Sequence, residues 1–181
     1  MLRTKLVANS ALMCALLIIS TLWIKFPIPG TSVLLTTQVL FILLCGQLLP
    51  PVACLVSVGG YLLLGLIGLP VFSATQGLAV IATPSFGFLL GFPFAAAGTA
   101  AIREKLKQVK GGRYWASLAG IVVLYAIAIP YIALLSIFYL RVFLSLSTLL
   151  HTYCLAFLPF DIIKGMLAAF LGERLMRARL L

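Results

Sequence analysis

The sequence predicts an all-α integral membrane fold of six transmembrane helices with both termini cytoplasmic. Composition sets the class. Hydrophobic residues fill 64% of the 181 positions and charged residues only 9%, against roughly 25% charged in a soluble domain. Mean hydropathy is +1.24. Length sets the count, because about 20 residues per span plus short connections leave room for about six helices. Positive charge sets the orientation. It falls in three segments: Arg3 and Lys5, Arg103 to Arg113, and Arg174 to Arg179. If all three face the cytoplasm, an even number of spans separates each successive pair. Residues 6 to 102 have room for about four spans and residues 114 to 173 for about two.

The expected spans, in order, are 6–24, 34–49, 52–68, 84–102, 115–139 and 156–174, in one transmembrane domain over 1–181. The first begins like a signal peptide, with a basic start and an apolar run. No small-residue cleavage site follows, so it reads as a retained span. Within it Ala11 and Ala15 lie four apart, a spacing that lets another helix approach closely or simply packs within the chain. The segment from Lys25 to Gly30, with two prolines, marks the first outer loop. Pro50-Pro51 marks the cytoplasmic turn between the second and third spans, since proline removes a donor and restricts its predecessor. Gly68-Leu-Pro-Val-Phe-Ser73 opens a second outer loop that runs uncharged to about Thr83. An apolar loop of that length reads as a lid packed over something apolar, or as an interfacial segment with a structural role. Lys25 and Arg141 are left as isolated cations on the outer side.

The net charge of +10, thirteen Lys/Arg against three Asp/Glu, sits at helix ends. The positive-inside rule therefore accounts for it without nucleic acid. Cys14, Cys45, Cys54 and Cys154 have neither metal-ligand nor disulfide spacing and read as small buried residues. His151, the single histidine, has no partner cluster and reads as interfacial. No linker, repeat or Walker-type glycine loop is present, so the chain has no ATPase site of its own. No catalytic set, metal cluster or cofactor motif emerges; the expectation is a non-enzyme with no cofactor.

Asp161 and Lys164 carry the functional signal. They interrupt the apolar segment FLPFDIIKGMLAAFLGERL. Glu104 and Glu173 lie in basic, water-facing segments, which leaves Asp161 as the one carboxylate within hydrophobic sequence. Lys164 follows at i+3, on the same helix face. A charge at the centre of a spanning helix costs about 2.5–3.5 kcal/mol on insertion scales, so such residues face a protein interior or a wet cavity. Pro159 suits a first helical turn, and an acid there is favoured by the helix dipole. The pair would then line a pocket open to the outside beneath the 69–83 loop. It can bind a ligand carrying both donors and an acceptor, or it can serve only as an ion pair between helices. Gln38, Ser73, Thr75, Gln76, Thr83, Ser85 and Tyr131 can join it from the outer side. Phe72, Phe86 and Trp23 can form an apolar wall or ordinary packing.

Four segments resemble a known family. Gln38-Val-Leu-Phe-Ile-Leu-Leu-Cys-Gly46, Gly65-Leu-Ile-Gly-Leu-Pro-Val-Phe72, Pro84-Ser-Phe-Gly-Phe-Leu-Leu-Gly-Phe92 and Leu158-Pro-Phe-Asp-Ile-Ile-Lys164 are similar to segments of BioY, the biotin-binding S component of energy-coupling factor (ECF) transporters. The last two are the specific ones. The resemblance covers nearly the whole chain. It implies an S-component-like fold with an outward-facing vitamin pocket in a bacterial cytoplasmic membrane, and biotin as a transported ligand. It implies that Asp161 and Lys164 help bind the polar groups of biotin; Gln38, Phe72, Ser73, Gln76, Thr83 and Tyr131, placed on the outer side by the reading of the residues above, are expected to complete the substrate site. It also implies docking through Ala11 and Ala15 onto a shared transmembrane subunit energised by two ATPase subunits. Thr83, Phe86 and Phe160 stand where the family carries glycine, which bears on the shape of the pocket. The alternatives are an S component for a different vitamin, a membrane assembly subunit with a structural Asp161–Lys164 pair, and a small intramembrane enzyme.

Overall fold

The computed structural model describes residues 2–23, 25–27, 34–141 and 145–178. Within the helices, the side chains of Leu2, Arg3, Trp23 and Leu146 lie outside that description, as do those of both strands up to Leu35. The Trp23 wall and the 28–30 part of the first outer loop therefore fall outside the described residues.

The chain is a helical bundle. Helix α1 spans Leu2–Trp23. Two three-residue strands follow, β1 (Lys25–Pro27) and β2 (Leu34–Thr36), paired antiparallel with Phe26 opposite Leu35. Then come α2 (Gln38–Leu48), α3 (Pro51–Leu66), a 3₁₀ segment (Gly77–Ala82), α4 (Ser85–Lys105) and α5 (Gly112–Phe138). A short α6 (Leu146–Leu149) runs on as a π turn (Leu150–Leu155) and leads to α7 (Leu158–Arg177). Among the described residues, four apolar helical stretches are long enough to cross a membrane: Thr4–Leu22, Ser85–Lys105, Gly112–Phe138 and Ser147–Arg177. Helices α2 and α3 are shorter.

The bundle is organised around α2. Its buried residues include Gln38, Val39, a continuous run from Ile42 to Leu48, and Leu49 just beyond. It packs against α4 and α7, and also meets α1, α3 and α5. A helix enclosed by protein need not match the bilayer with its own length, so 11 residues suffice. The strand β2 and the bend at Thr37 occupy the first residues of the stretch expected to be one helix over 34–49. There the backbone pairs across the hairpin instead. Pro51 starts α3 with Pro50 extended before it. α4 packs chiefly on α5 and carries Pro93; α5 carries Pro130. Such prolines are tolerated where neighbouring helices satisfy the freed carbonyls. Pro159 lies in the first turn of α7 and Asp161 just after it. Glycine matters most where backbone meets ring. At Gly65 in α3, an added Cβ would overlap the ring of Phe72.

Candidate functional site

A cavity of about 290 Å³ lies between the ends of α2, α4 and α7 and the 72–85 segment. Its walls are mostly apolar, with Phe72, Phe88, Leu89, Phe92 and Phe157 among them. Asp161 and Lys164 line it, together with Thr36, Gln38, Ser73, Thr75, Thr83 and Ser85. Helix α7 brings the charged pair to one face. The Lys164 ammonium donates to Asp161 Oδ1 at 2.8 Å. The other carboxylate oxygen accepts from the Tyr125 hydroxyl of α5, also at 2.8 Å. Asp161 is 3% exposed. A buried carboxylate costs several kcal/mol unless paired and hydrogen-bonded, and here each oxygen has a donor. The Lys164 side chain is more open, at 14%. Its ammonium has three N–H groups, and Asp161 accepts one of them. Lys164 is thus the charged group best placed to offer donors to the cavity.

Gln38 also lines the cavity, but its amide is engaged. Its Oε1 accepts from Thr36 Oγ1 at 2.8 Å, and its Nε2 donates to the Tyr61 hydroxyl at 2.6 Å. Tyr61 is fully buried, donates to the Val71 carbonyl at 3.1 Å and lies 3.2 Å from Thr21 Oγ1. Its ring meets Phe72 edge-on at 5.5 Å. This junction fixes α1, α2, α3 and the start of the loop to one another, and it holds Phe72 in the wall.

Among the residues singled out in the sequence, Gln38, Phe72, Ser73, Thr75, Thr83, Ser85, Asp161 and Lys164 converge on the cavity. Gln76 and Tyr131 are not in its lining. Gln76 staples the loop, accepting from the Phe72 N–H at 3.1 Å and donating to the Phe72 and Ala74 carbonyls. The Tyr131 hydroxyl donates to the Ile81 carbonyl and ties the 3₁₀ segment to α5. Both bond to the backbone of the segment between α3 and α4. Thr83 Oγ1 donates to the Val80 carbonyl at 2.6 Å and keeps lone pairs free. Thr75 and Ser85 have hydroxyls with no protein partner among the described residues. Phe86 packs on Tyr131 at 5.5 Å rather than lining the cavity. Ala11 and Ala15 lie exposed on α1.

Sequence reasoning missed Tyr125, Tyr61, Thr36 and three aromatic walls, Phe88, Phe92 and Phe157. Phe88 contacts both Tyr125 and Phe157 edge-on or tilted, at 5.7 and 6.1 Å between ring centres. A local signal existed for Phe88 and Phe92, which lie in the segment after Pro84. Tyr125 had none; it meets Asp161 only through the packing of α5 on α7.

Among the described residues no group of side chains could hold a metal. His151 is exposed on the π turn, its Nδ1 bonded to the Ser147 carbonyl at 2.8 Å. The four cysteines are free, Cys45 and Cys54 buried and Cys14 and Cys154 half-buried.

The chain is similar to known proteins over nearly its whole length. It is 32% identical over 158 residues to a probable biotin transporter BioY of Lysinibacillus sphaericus, spanning 84% of this chain and 78% of the relative. It is 35% identical over 152 residues to the biotin transporter BioY of Rhizobium etli, spanning 78% and 77%. A crystal structure of the S component for biotin from an ECF-type ABC transporter superposes with a TM-score of 0.83 at 29% identity. That match covers 97% of this chain and 92% of the other. The architecture is therefore an all-α membrane fold resembling ECF S components. The BioY family model matches residues 1–180, and the chain belongs to the BioY family.

Proposed function

We propose that this protein captures biotin with high affinity for uptake across a bacterial cytoplasmic membrane, as the substrate-binding S component of an ECF transporter. The observation that carries this is the Asp161–Lys164 pair, buried at one end of an apolar cavity and braced by Tyr125. A mostly apolar pocket with a few convergent polar groups is the usual form of a small-molecule site. Biotin matches it in chemistry. Its thiophane ring and valeryl chain suit the aromatic walls. Its ureido N–H groups need acceptors, and its carbonyl and carboxylate need donors. Lys164 supplies donors; Thr83, Thr75 and Ser85 supply hydroxyls. Phe72, Ser73 and Gln38 shape the wall, while Gln76 and Tyr131 hold the loop above it.

The reading includes six spans in one domain, α1 to α5 and α7, with both termini cytoplasmic. In its favour, Arg103, Lys107, Lys110 and Arg113 gather at the bundle end away from the cavity, as the positive-inside rule requires. The cavity then opens outward. Energy comes from partners: a transmembrane coupling subunit, met through Ala11 and Ala15, and two ATPase subunits.

Uptake of radiolabelled biotin by cells making the chain with these subunits tests the assignment. Unlabelled biotin in excess should abolish uptake, and other vitamins in excess should leave it unchanged. Competition by a different vitamin would move the chain to another substrate.

A further inference from the structure

A second cavity, of about 590 Å³, lies at the opposite end of the bundle, where the α4–α5 connection meets the ends of α2 and α7. Four cations line it, Arg103, Lys107, Lys110 and Arg113, against two carboxylates, Glu104 and Glu173. The two kinds of cation differ in what they already do. Arg103 donates to the Gln47 and Leu49 carbonyls at 2.6 and 3.3 Å and stands 3.5 Å from Glu104. Arg113 donates to the Gln47 carbonyl and side-chain oxygen, each at 3.3 Å. These two guanidinium groups satisfy the carbonyls at the C-terminal end of α2, where cations are favoured. Lys107 and Lys110 are different. Both are exposed, and among the described residues neither makes an ion pair or a side-chain hydrogen bond.

The rest of the cavity is apolar. Val109 is 50% exposed and Met176 43%, and both line it together with Tyr114. Trp115, next to Tyr114 at the start of α5, is 62% exposed. An exposed Trp115 beside the half-buried Tyr114 at a helix end marks the level of the lipid headgroups. A cleft at that level with free ammonium groups beside apolar side chains offers two complementary surfaces. One fits a phosphate, the other the glycerol and the first acyl carbons.

We propose that this cavity binds the headgroup phosphate of an anionic phospholipid, with Lys107 and Lys110 donating to the phosphate oxygens. Basic pockets between membrane helices recognise such headgroups by this chemistry. An acidic protein segment would use the lysines but not the apolar side. The inference is independent of the biotin assignment.

The test is native mass spectrometry of the purified full chain in detergent with equal phosphatidylglycerol and phosphatidylcholine. The wild type should retain phosphatidylglycerol about thirtyfold better, the scale set by two lysines at a membrane surface. The double variant Lys107→Gln/Lys110→Gln should lose that preference with unchanged thermal unfolding. The variant Lys5→Gln/Arg174→Gln removes the same charge outside the cavity and should keep the preference. No preference in the wild type, or equal loss in both variants, overturns the site. Displacement of phosphatidylglycerol by inorganic phosphate would assign the cavity to free phosphate and overturn the lipid. An Asp/Glu-rich peptide that binds while phosphatidylglycerol does not would assign it to a protein.

Discussion

Tyr125 lies outside the cavity lining, yet it holds the carboxylate that does line it. Asp161 rests between two donors, Lys164 on its own helix and Tyr125 across on α5. Removing the Tyr125 hydroxyl leaves one carboxylate oxygen buried without that partner. A hydrogen bond to a charged group contributes about 1.5–3 kcal/mol, so Tyr125→Phe should weaken biotin affinity about tenfold or more. Calorimetric titration of the variant checks this; unchanged affinity would mean that Lys164 alone holds the carboxylate. At this scale the sequence was legible where the signal was local. A lone carboxylate in apolar sequence with a lysine one turn on identifies itself. Gln38, singled out in the sequence, does line the cavity, but its hydrogen bonds were not legible, because its partners Thr36 and Tyr61 are set by the hairpin and by α3. Tyr125, 36 positions from Asp161, carries no local mark that separates it from the other tyrosines.

The loop after α3 is the element on which the cavity's shape depends. Gly65 leaves room for the ring of Phe72, and Tyr61 holds the adjoining Val71 carbonyl. Gly65→Ala would drive the ring from its seat, because the added methyl collides with it. Overpacking of this kind costs about 1–3 kcal/mol. The expected outcome is a lower unfolding temperature with weakened biotin binding, and recovery of both in a second variant, Gly65→Ala/Phe72→Leu, which shortens the wall. The helical elements were legible because long apolar runs between prolines and charged segments admit little else. The hairpin was not. Its strands are three residues each, too short for an alternating pattern to stand out within an apolar run. The short α6 and the π turn before α7 were likewise missed, since residues 140–155 fell between the expected spans 115–139 and 156–174.

Across the whole molecule, the two ends of the bundle differ in chemistry. One end carries the enclosed ion pair under an uncharged loop, the other the basic cleft. Between them α1 packs mainly on α3, linked by the Ser57 hydroxyl to the Ser10 carbonyl at 2.7 Å and by Thr21 near Tyr61. That leaves Ala11, Leu12, Ala15 and Ile19 exposed on α1. If the coupling subunit docks there, the double variant Ala11→Leu/Ala15→Leu should reduce biotin uptake strongly, since bulk prevents close helix approach. Biotin affinity of the purified variant should stay at the wild-type value. Loss of binding as well would make the alanines packing residues. A single sequence could not show what covers α1, because a lipid-facing stripe and a docking stripe share the same small and apolar residues.

The central claim is that the cavity ending on Asp161 and Lys164 holds biotin. Titration of the purified chain with biotin, alongside Asp161→Asn and Lys164→Ala, tests it most directly. The expected result is saturable one-to-one binding by the wild type and its loss in both variants, each still inserted and folded. Absence of saturable binding by the wild type, or unchanged affinity in both variants, would contradict it.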